Sequence, residues 1–208
     1  MPLITQIKPQ KKQKRFNVFI DGRFAFGLDA EVLLKEGLSQ NQEISQKEIE
    51  RIIKENESQR ILEKVLRFLS YRPRSEKEIF NYLIKKQTGI EARKIVIDKL
   101  KNLGMIDDLE FAKWWVEQRT TFKPAGKKLL FFELQQKGVS RKIIEQVLNE
   151  KEPLNELAVA VQLLKKKKRQ WKKIPPEKFK KKAFEFLMQR GFNYEVVIQV
   201  VAKLEEKE

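Results

Sequence analysis

Short apolar runs separated by turn residues open the chain, a pattern typical of β-strands. Two runs rich in Phe, Val and Ile lie at residues 15–20 and 23–28, with Asp21-Gly22 between them. Asp-Gly at this place predicts a two-residue hairpin, because both central positions of the favoured turn need a positive φ. A third, shorter strand is predicted at residues 3–7.

Polar caps then introduce two short helices in the same N-terminal segment. Asp29 is placed to cap the first of them, which we expect to end at Gly37. Ser45 and Glu48 have the spacing of a capping box, in which each side chain accepts the other residue's backbone N–H. They predict the start of a second helix that runs toward Lys54.

From residue 58 onward the apolar residues recur at helical spacing, and the pattern itself repeats. Pro73, Pro124 and Pro175 divide this part of the chain at even intervals of about fifty residues. Each interval holds three apolar-periodic segments, and we expect a glycine to end the second one in the left-handed conformation. The three glycines are Gly89, Gly138 and Gly191.

The predicted fold is therefore mostly all-α, an elongated tandem array of three three-helix repeats that resemble helix-turn-helix units, preceded by a small N-terminal β-hairpin and helix unit. Three short helices bury only a small core, so repeats in tandem gain stability from contact with their neighbours. The same spacing suits three separate helix-turn-helix domains on short linkers, and the sequence leaves both arrangements open. The expected domains are residues 1–57, 58–107, 108–153 and 154–208.

Charge and composition narrow the classes of function. The 208 residues include 45 Lys and Arg against 29 Asp and Glu, a formal net charge of +16, which favours a polyanionic partner. The absence of Cys and His excludes disulfides, Cys or His zinc sites, and Ser-His-Asp or Cys-His catalysis. No apolar run approaches the roughly 20 residues of a membrane span, and the N-terminus lacks the apolar core of a secretion signal. We expect a cytoplasmic monomer without cofactor, metal or membrane contact.

The densest positive charge is predicted at the end of the first helix of the third repeat. Adjacent cations repel one another unless anions relieve them, and Trp171 among them offers a stacking surface for a base. The alternative is a solvated helix end with Trp171 packed under the following loop. The cluster consists of Lys165, Lys166, Lys167, Lys168, Arg169, Trp171, Lys172 and Lys173, and Lys180, Lys181 and Lys182 follow on the next helix.

A second candidate for anion binding lies at the start of the second helix of the first repeat. Ser75 and Glu78 have capping-box spacing, and Arg72 and Arg74 flank the helix start, where backbone N–H groups attract anions. A phosphate or carboxylate of a partner is one candidate ligand. The alternative is an internal ion pair with Glu76 or Glu78.

One acidic group raises the possibility of metal-dependent chemistry. Asp107, Asp108 and Glu110 are close in sequence, and clustered carboxylates can hold magnesium in nucleases. Asp107 to Glu110 also has the spacing of a capping box, and Gly104 is placed to end the helix before it. Because no second acidic cluster or candidate base accompanies the group, we predict a structural role and no catalytic residue.

A string of residues in fixed order and spacing gives the chain a family resemblance. It runs from Leu69-Ser70-Tyr71-Arg72-Pro73-Arg74-Ser75-Glu76-Lys77-Glu78 through Leu103-Gly104, Ile106-Asp107-Asp108 and Phe111-Ala112 to Arg119, Gly126, Glu133-Leu134 and Lys137-Gly138-Val139. In this order the residues resemble the RecX family of recombinase regulators, from residue 58 to the C-terminus. The N-terminal hairpin, with Phe24-Ala25-Phe26-Gly27, resembles the extra segment of its longer members.

The resemblance implies a helical array that binds the RecA recombinase filament on single-stranded DNA and restrains filament growth, strand exchange and co-protease activity. It transfers no catalytic residue. The residues expected to contact the nucleic acid or the filament are the cationic cluster of the third repeat together with Arg72, Arg74, Arg119, Lys127 and Lys128.

The alternative function is a regulator that reads duplex DNA through its helix-turn-helix units without a recombinase partner. Such a reader needs base-contacting Arg, Asn or Gln along one exposed helix face. The third helices, predicted at residues 91–100, 141–148 and 193–204, are mainly apolar with scattered charges. This composition argues against base readout.

Overall fold

The structure is a computed structural model that describes residues 1–11, 14–149, 155–171 and 174–203. Most of the described chain is helical, as predicted, and three strands precede the helices. The chain divides into two compact units, residues 1–71 with 87–98 and residues 72–86 with 99–208. None of the described helices combines the length and the apolar character that crossing a bilayer requires.

The first unit begins with an antiparallel three-stranded sheet in the order β1-β2-β3. The strands are β1 (Ile4–Pro9), β2 (Arg15–Ile20) and β3 (Arg23–Asp29). The predicted hairpin turn is confirmed, because Asp21 and Gly22 have φ values of 47° and 79°. One face of the sheet packs on a core in which Ile4, Val18, Phe26 and Leu28 are buried.

Two helices complete the core under the sheet, α1 (Ala30–Lys35) and α2 (Gln46–Leu69). The Ser45–Glu48 capping box that opens α2 is confirmed. The helix predicted to run toward Lys54 continues beyond it, because α2 extends without a break for 24 residues. The domain boundary predicted between residues 57 and 58 therefore lies inside a helix.

Eight further helices follow α2 among the described residues, and those of the second and third repeats surround one core each. Each first helix of these two repeats buries an apolar stripe against its second and third helices, as the spacing of the apolar residues predicts. The helices are α3 (Glu76–Lys85), α4 (Ile90–Asn102), α5 (Asp108–Phe122), α6 (Lys127–Gln136), α7 (Arg141–Asn149), α8 (Glu156–Gln170), α9 (Pro176–Gln189) and α10 (Tyr194–Ala202).

The glycines predicted to end the second helices are confirmed at two of three positions. Gly138 follows α6 with φ 85°, and Gly191 follows α9 with φ 76°. The prediction for Gly89 is wrong: Gln87, with φ 56°, takes the left-handed conformation after α3. Gly89 instead precedes α4, where its carbonyl oxygen accepts the Arg93 backbone N–H.

The start of α3 docks on the second repeat through two hydrogen bonds, one to the end of α6 and one to the start of α5. The buried Ser75 hydroxyl donates to the Lys137 carbonyl oxygen at 2.7 Å and accepts the Glu78 N–H. The Glu76 N–H donates to the Asp108 carboxylate at 2.9 Å. Only half of the predicted Ser75–Glu78 capping box forms, because the Glu78 carboxylate has other partners.

The start of α6 docks on the third repeat in the same way. The Lys127 N–H donates to the carboxylate of Glu156, the first residue of α8, as Glu76 donates to Asp108, the first residue of α5. Gly126 N–H donates to the Arg190 carbonyl oxygen at 2.9 Å. The same arrangement therefore occurs at two successive junctions. At each one, a carboxylate and a carbonyl oxygen of the next repeat hold the start of the second helix.

Candidate nucleic-acid and filament interface

The described lysines of the cationic cluster lie on the solvent side of α8 and α9. α8 buries Ala160 and Leu164, and α9 buries Ala183 and Leu187 in the same core. Because these faces are occupied, the lysines between them point to solvent. The exposed lysines are Lys165, Lys166, Lys168, Lys180, Lys181 and Lys182, and Lys167 is half-buried.

Trp171 packs against the third repeat, which is the packed arrangement that the sequence left open. Its ring meets Phe179 and Phe186 edge to face, with centroids 5.8 and 5.7 Å away. Lys182 Nζ lies 4.9 Å from the Trp171 ring centre and Lys167 Nζ lies 5.7 Å from it. The ring therefore holds two lysines of the cluster beside each other through cation–π contacts.

Part of the predicted cluster lies outside the described residues. Lys172 and Lys173 belong to it, as does the side chain of Arg169. Their assignment to the interface stays a prediction.

Arg72, predicted to contact a partner, forms the internal ion pair that was the alternative. Its two terminal nitrogens each donate to the Glu78 carboxylate at 2.9 Å, and Lys137 Nζ donates to the same carboxylate. The Arg72 guanidinium also lies 5.6 Å from the centre of the Trp114 ring. We call Arg72, Glu78 and Lys137 the Glu78 ion cluster.

The charges around Glu78 change its acidity. Burial alone raises the pKa of its carboxyl, but the hydrogen bonds from Arg72 and Lys137, with their charges, outweigh this and lower the pKa below its ordinary value. Glu78 thus stays ionised and joins α3 to α6. The cluster stabilises the surface on which Arg72 lies and occupies both of its terminal nitrogens.

Arg119 is likewise held inside the second repeat. Its Nε and Nη2 donate to the Glu133 carboxylate at 2.9 and 2.8 Å, and the Trp115 indole N–H donates to the same carboxylate at 2.9 Å. Only 18% of the Arg119 side chain is exposed. The arrangement fixes α5 against α6, so a structural role for Arg119 has direct support.

The remaining predicted cations occupy different surroundings. Burial, and to a lesser extent the charge of Arg72, lowers the pKa of Arg74. Lys127 and Lys128 lie at the start of α6 beside a surface cleft. The other residues that line this cleft are Phe131, Glu145, Leu148 and Asn149.

The acidic group at the start of α5 has structural partners. Asp107 caps the helix by accepting the N–H groups of Leu109 and Glu110, and Gly104 has the predicted left-handed conformation with φ 65°. Burial raises the pKa of Asp108, whose carboxylate accepts the Glu76 N–H. Glu110 pairs with Lys113 rather than closing a capping box.

Sequence reasoning offered Glu78 as a partner of Arg72 but missed the other residues that hold the predicted cations. Glu133 and Lys137 lie within the string that carries the family resemblance, yet nothing in the sequence joins them to Trp115 or Glu78. Lys137 and Glu78 are 59 residues apart along the chain. The signal that the sequence offered for these partners was only local, namely a charged residue beside an aromatic residue on a predicted helix.

Comparison with known families agrees with this architecture along the chain. Four family models match, each covering one structural segment. They describe the regulatory protein RecX N-terminal domain at residues 2–45 and the first, second and third three-helix domains of RecX at 62–100, 107–148 and 155–201.

Curated relatives and a solved structure are similar over nearly the whole chain. Regulatory protein RecX of Bacillus subtilis is 33% identical over 206 residues, which cover 99% of this chain and 78% of the relative. That of Lactobacillus johnsonii is 32% identical over 205 residues, 99% of this chain and 76% of the relative. A crystal structure of regulatory protein RecX, 26% identical, covers 96% of this chain and 98% of its own with a TM-score of 0.75. The chain belongs to the RecX family of regulatory proteins.

Proposed function

We propose that this protein binds the RecA recombinase filament on single-stranded DNA and restrains filament growth, strand exchange and co-protease activity, without catalysis of its own. The family is one of regulatory proteins, and the excess of positive charge suits an anionic, DNA-containing partner. The exposed lysines of α8 and α9 are the contact that we assign to the DNA.

The observation that carries the proposal is the solvent exposure of these lysines on helices whose apolar faces are already buried. Lys165, Lys166 and Lys181 form no ion pair with a carboxylate of the described part of the chain. Cations held close together in this way lose mutual repulsion when a phosphate backbone lies across them and releases its counterions.

Replacing Lys165, Lys166, Lys167 and Lys168 with Gln should weaken binding to single-stranded DNA and reduce its salt dependence. A loss of roughly three phosphate contacts lowers the slope of log affinity against log salt by about 2, at ~0.7 per contact. Fluorescence anisotropy of a labelled oligonucleotide over a salt series measures the slope.

A matched variant separates local contact from net charge. Lys47, Lys85, Lys94 and Lys99 are also exposed, and their replacement with Gln removes the same charge elsewhere. We expect the slope of this control to stay within about 0.7 of the wild-type slope, the change that one phosphate contact makes. Equal slopes for the two variants would show that the cluster is only a solvated helix end.

The protein should inhibit ATP hydrolysis by the recombinase on single-stranded DNA well below one regulator per recombinase protomer. A molecule that binds in the filament groove or at its end affects many protomers, so a few copies suffice. Titration of the regulator into a steady-state ATPase assay measures the ratio. Inhibition that appears only in stoichiometric excess, and that matches competition for DNA, would contradict a specific filament contact.

A further inference from the structure

The second face of the N-terminal sheet, opposite the core, carries an arrangement that the proposed function does not use. Two irregularities in the strand register change the alternation of side chains. One is at Thr5 of β1, between Ile4 and Gln6, and the other is at Ala25 of β3, opposite Val18 and Phe19. As a result Phe19 pairs with Gln6 on one side and with Phe24 on the other, across all three strands. The buried pair of Val18 and Phe26 lies on the opposite face.

The next row of this face is polar and basic. Lys8 pairs with Asn17, which pairs with Gly27. Lys8 is exposed, and its Nζ lies 5.6 Å from the centre of the Phe19 ring. We call the two rows, Gln6, Phe19 and Phe24 with Lys8, Asn17 and Gly27, the outer sheet face.

The two phenylalanines are placed for contact with a flat ligand. Their rings meet edge to face with centroids 6.0 Å apart, and Phe24 is 60% exposed. An exposed phenylalanine at the tip of a hairpin adds little to the core, whereas its open ring face can stack on a base. Asn17 and Gln10, joined by a 2.7 Å hydrogen bond, add amide groups in the next row, near Gly27.

The part of the sequence that forms the sheet is strongly basic, although the whole N-terminal segment is nearly neutral. Residues 1–29 contain six Lys or Arg and two Asp, while residues 30–57 contain four Lys or Arg and seven Glu. The average over the segment therefore hides a basic sheet beside acidic helices. Exposed cations next to exposed aromatic rings suit a polyanion that carries flat bases.

We infer that the outer sheet face is a second contact for single-stranded nucleic acid, in which Phe24 and Phe19 stack on bases and Lys8 meets a phosphate. Duplex DNA keeps its bases stacked on each other, so rings on a flat sheet favour a single strand. The inference deepens the proposed function by adding a DNA contact remote in sequence from the third repeat. It rests on that function only in taking single-stranded DNA as the polymer.

The test compares Phe24→Ala with the full-length wild type in binding a labelled single-stranded oligonucleotide without recombinase. Loss of one stacked base should raise the Kd roughly five-fold or more and leave the salt slope unchanged. Lys8→Gln should lower the slope by about 0.7. Leu34→Ala is the matched control, because Leu34 is 80% exposed on α1 of the same unit. It should bind as the wild type does. Phe24→Trp, which keeps an aromatic ring, should retain the affinity that Phe24→Ala loses.

Photo-crosslinking gives an independent measurement. An oligonucleotide with iodouracil should crosslink to Phe24 or Phe19, as mapped by mass spectrometry, in both the wild type and the Lys165–168 Gln variant. An unchanged Kd for Phe24→Ala without a crosslink in the sheet would overturn the inference and leave the third-repeat proposal intact. Weaker recombinase binding with unchanged DNA affinity would also overturn it, because the face would then contact protein. A crosslink at Phe24 with no inhibition of the recombinase would support it while the proposed function fails.

Discussion

Gly126→Ala should destabilise the protein by about 3 kcal/mol, since a methyl group at this position has no space. An added Cβ would lie 2.3 Å from the Gly191 carbonyl oxygen and 2.3 Å from the Phe192 Cα, both backbone atoms. The two backbone segments can move apart only by weakening two hydrogen bonds, from the Gly126 N–H to the Arg190 carbonyl oxygen and from the Lys128 N–H to the Gly191 carbonyl oxygen. Urea unfolding measures the loss, which corresponds to a fall in Tm of roughly 10 °C.

Gly89→Ala is the matched control for Gly126→Ala, because it makes the same substitution before another helix. Gly89 also precedes a helix, and a Cβ there would meet nothing within 4 Å. We expect a cost of at most about 0.5 kcal/mol, the difference between Gly and Ala at a helix start. A similar cost at both positions would mean that the contact between α6 and the third repeat is loose.

Features governed by short-range chemistry could be predicted from the sequence. The Asp21-Gly22 turn needs positive φ at two adjacent residues, and few residue types allow it. The apolar periodicity placed the helices of the second and third repeats because burial of a helix stripe repeats every 3.6 residues. Gly138 and Gly191 were recognised for the same reason: only glycine accepts that backbone conformation without strain.

The errors have equally physical causes. The second helix, expected to be short, meets no Gly or Pro after Lys54 that would end it, so α2 continues through Leu69. Gly89 was assigned to the end of α3 although Gln87 adopts the left-handed conformation there. A positive φ in a residue that seldom adopts it depends on contacts around the turn, which the sequence does not display.

The candidate site was less predictable than the fold because its partners are distant in sequence. The pair of Arg72 and Glu78, six residues apart, was one of two alternatives that the sequence left open. The bonds of Arg119 to Glu133 and of Lys137 to Glu78 depend on how the helices pack. The lysines of α8 needed no such information: adjacent lysines on one helix must reach solvent. Averaging the charge over 1–57 concealed the basic sheet, whose outer face depends on strand register.

Glu78→Gln should destabilise the protein by about 2 kcal/mol at neutral pH, because Arg72 and Lys137 lose their shared anion while the shape of the side chain is kept. The carboxylate is mostly enclosed, with 14% of the side chain exposed, so water compensates only partly. Chemical denaturation of both proteins at pH 7 measures the difference. Glu110→Gln is the control: this carboxylate is 67% exposed beside Lys113, and its pair contributes at most about 0.5 kcal/mol.

The pH dependence of the stability difference between wild type and Glu78→Gln shows whether the charge of Glu78 causes it. The pKa of Glu78 is lower in the folded protein than in the unfolded chain, so folding favours the ionised form. Its contribution is complete above the ordinary carboxylate pKa of about 4.3 and is lost as the pH falls through the folded value. The stability difference between wild type and Glu78→Gln should therefore shrink below about pH 4. A difference that stays constant on acidification would mean that the negative charge of Glu78 contributes nothing, because Gln has the same shape and differs from the protonated carboxyl only in its hydrogen bonds.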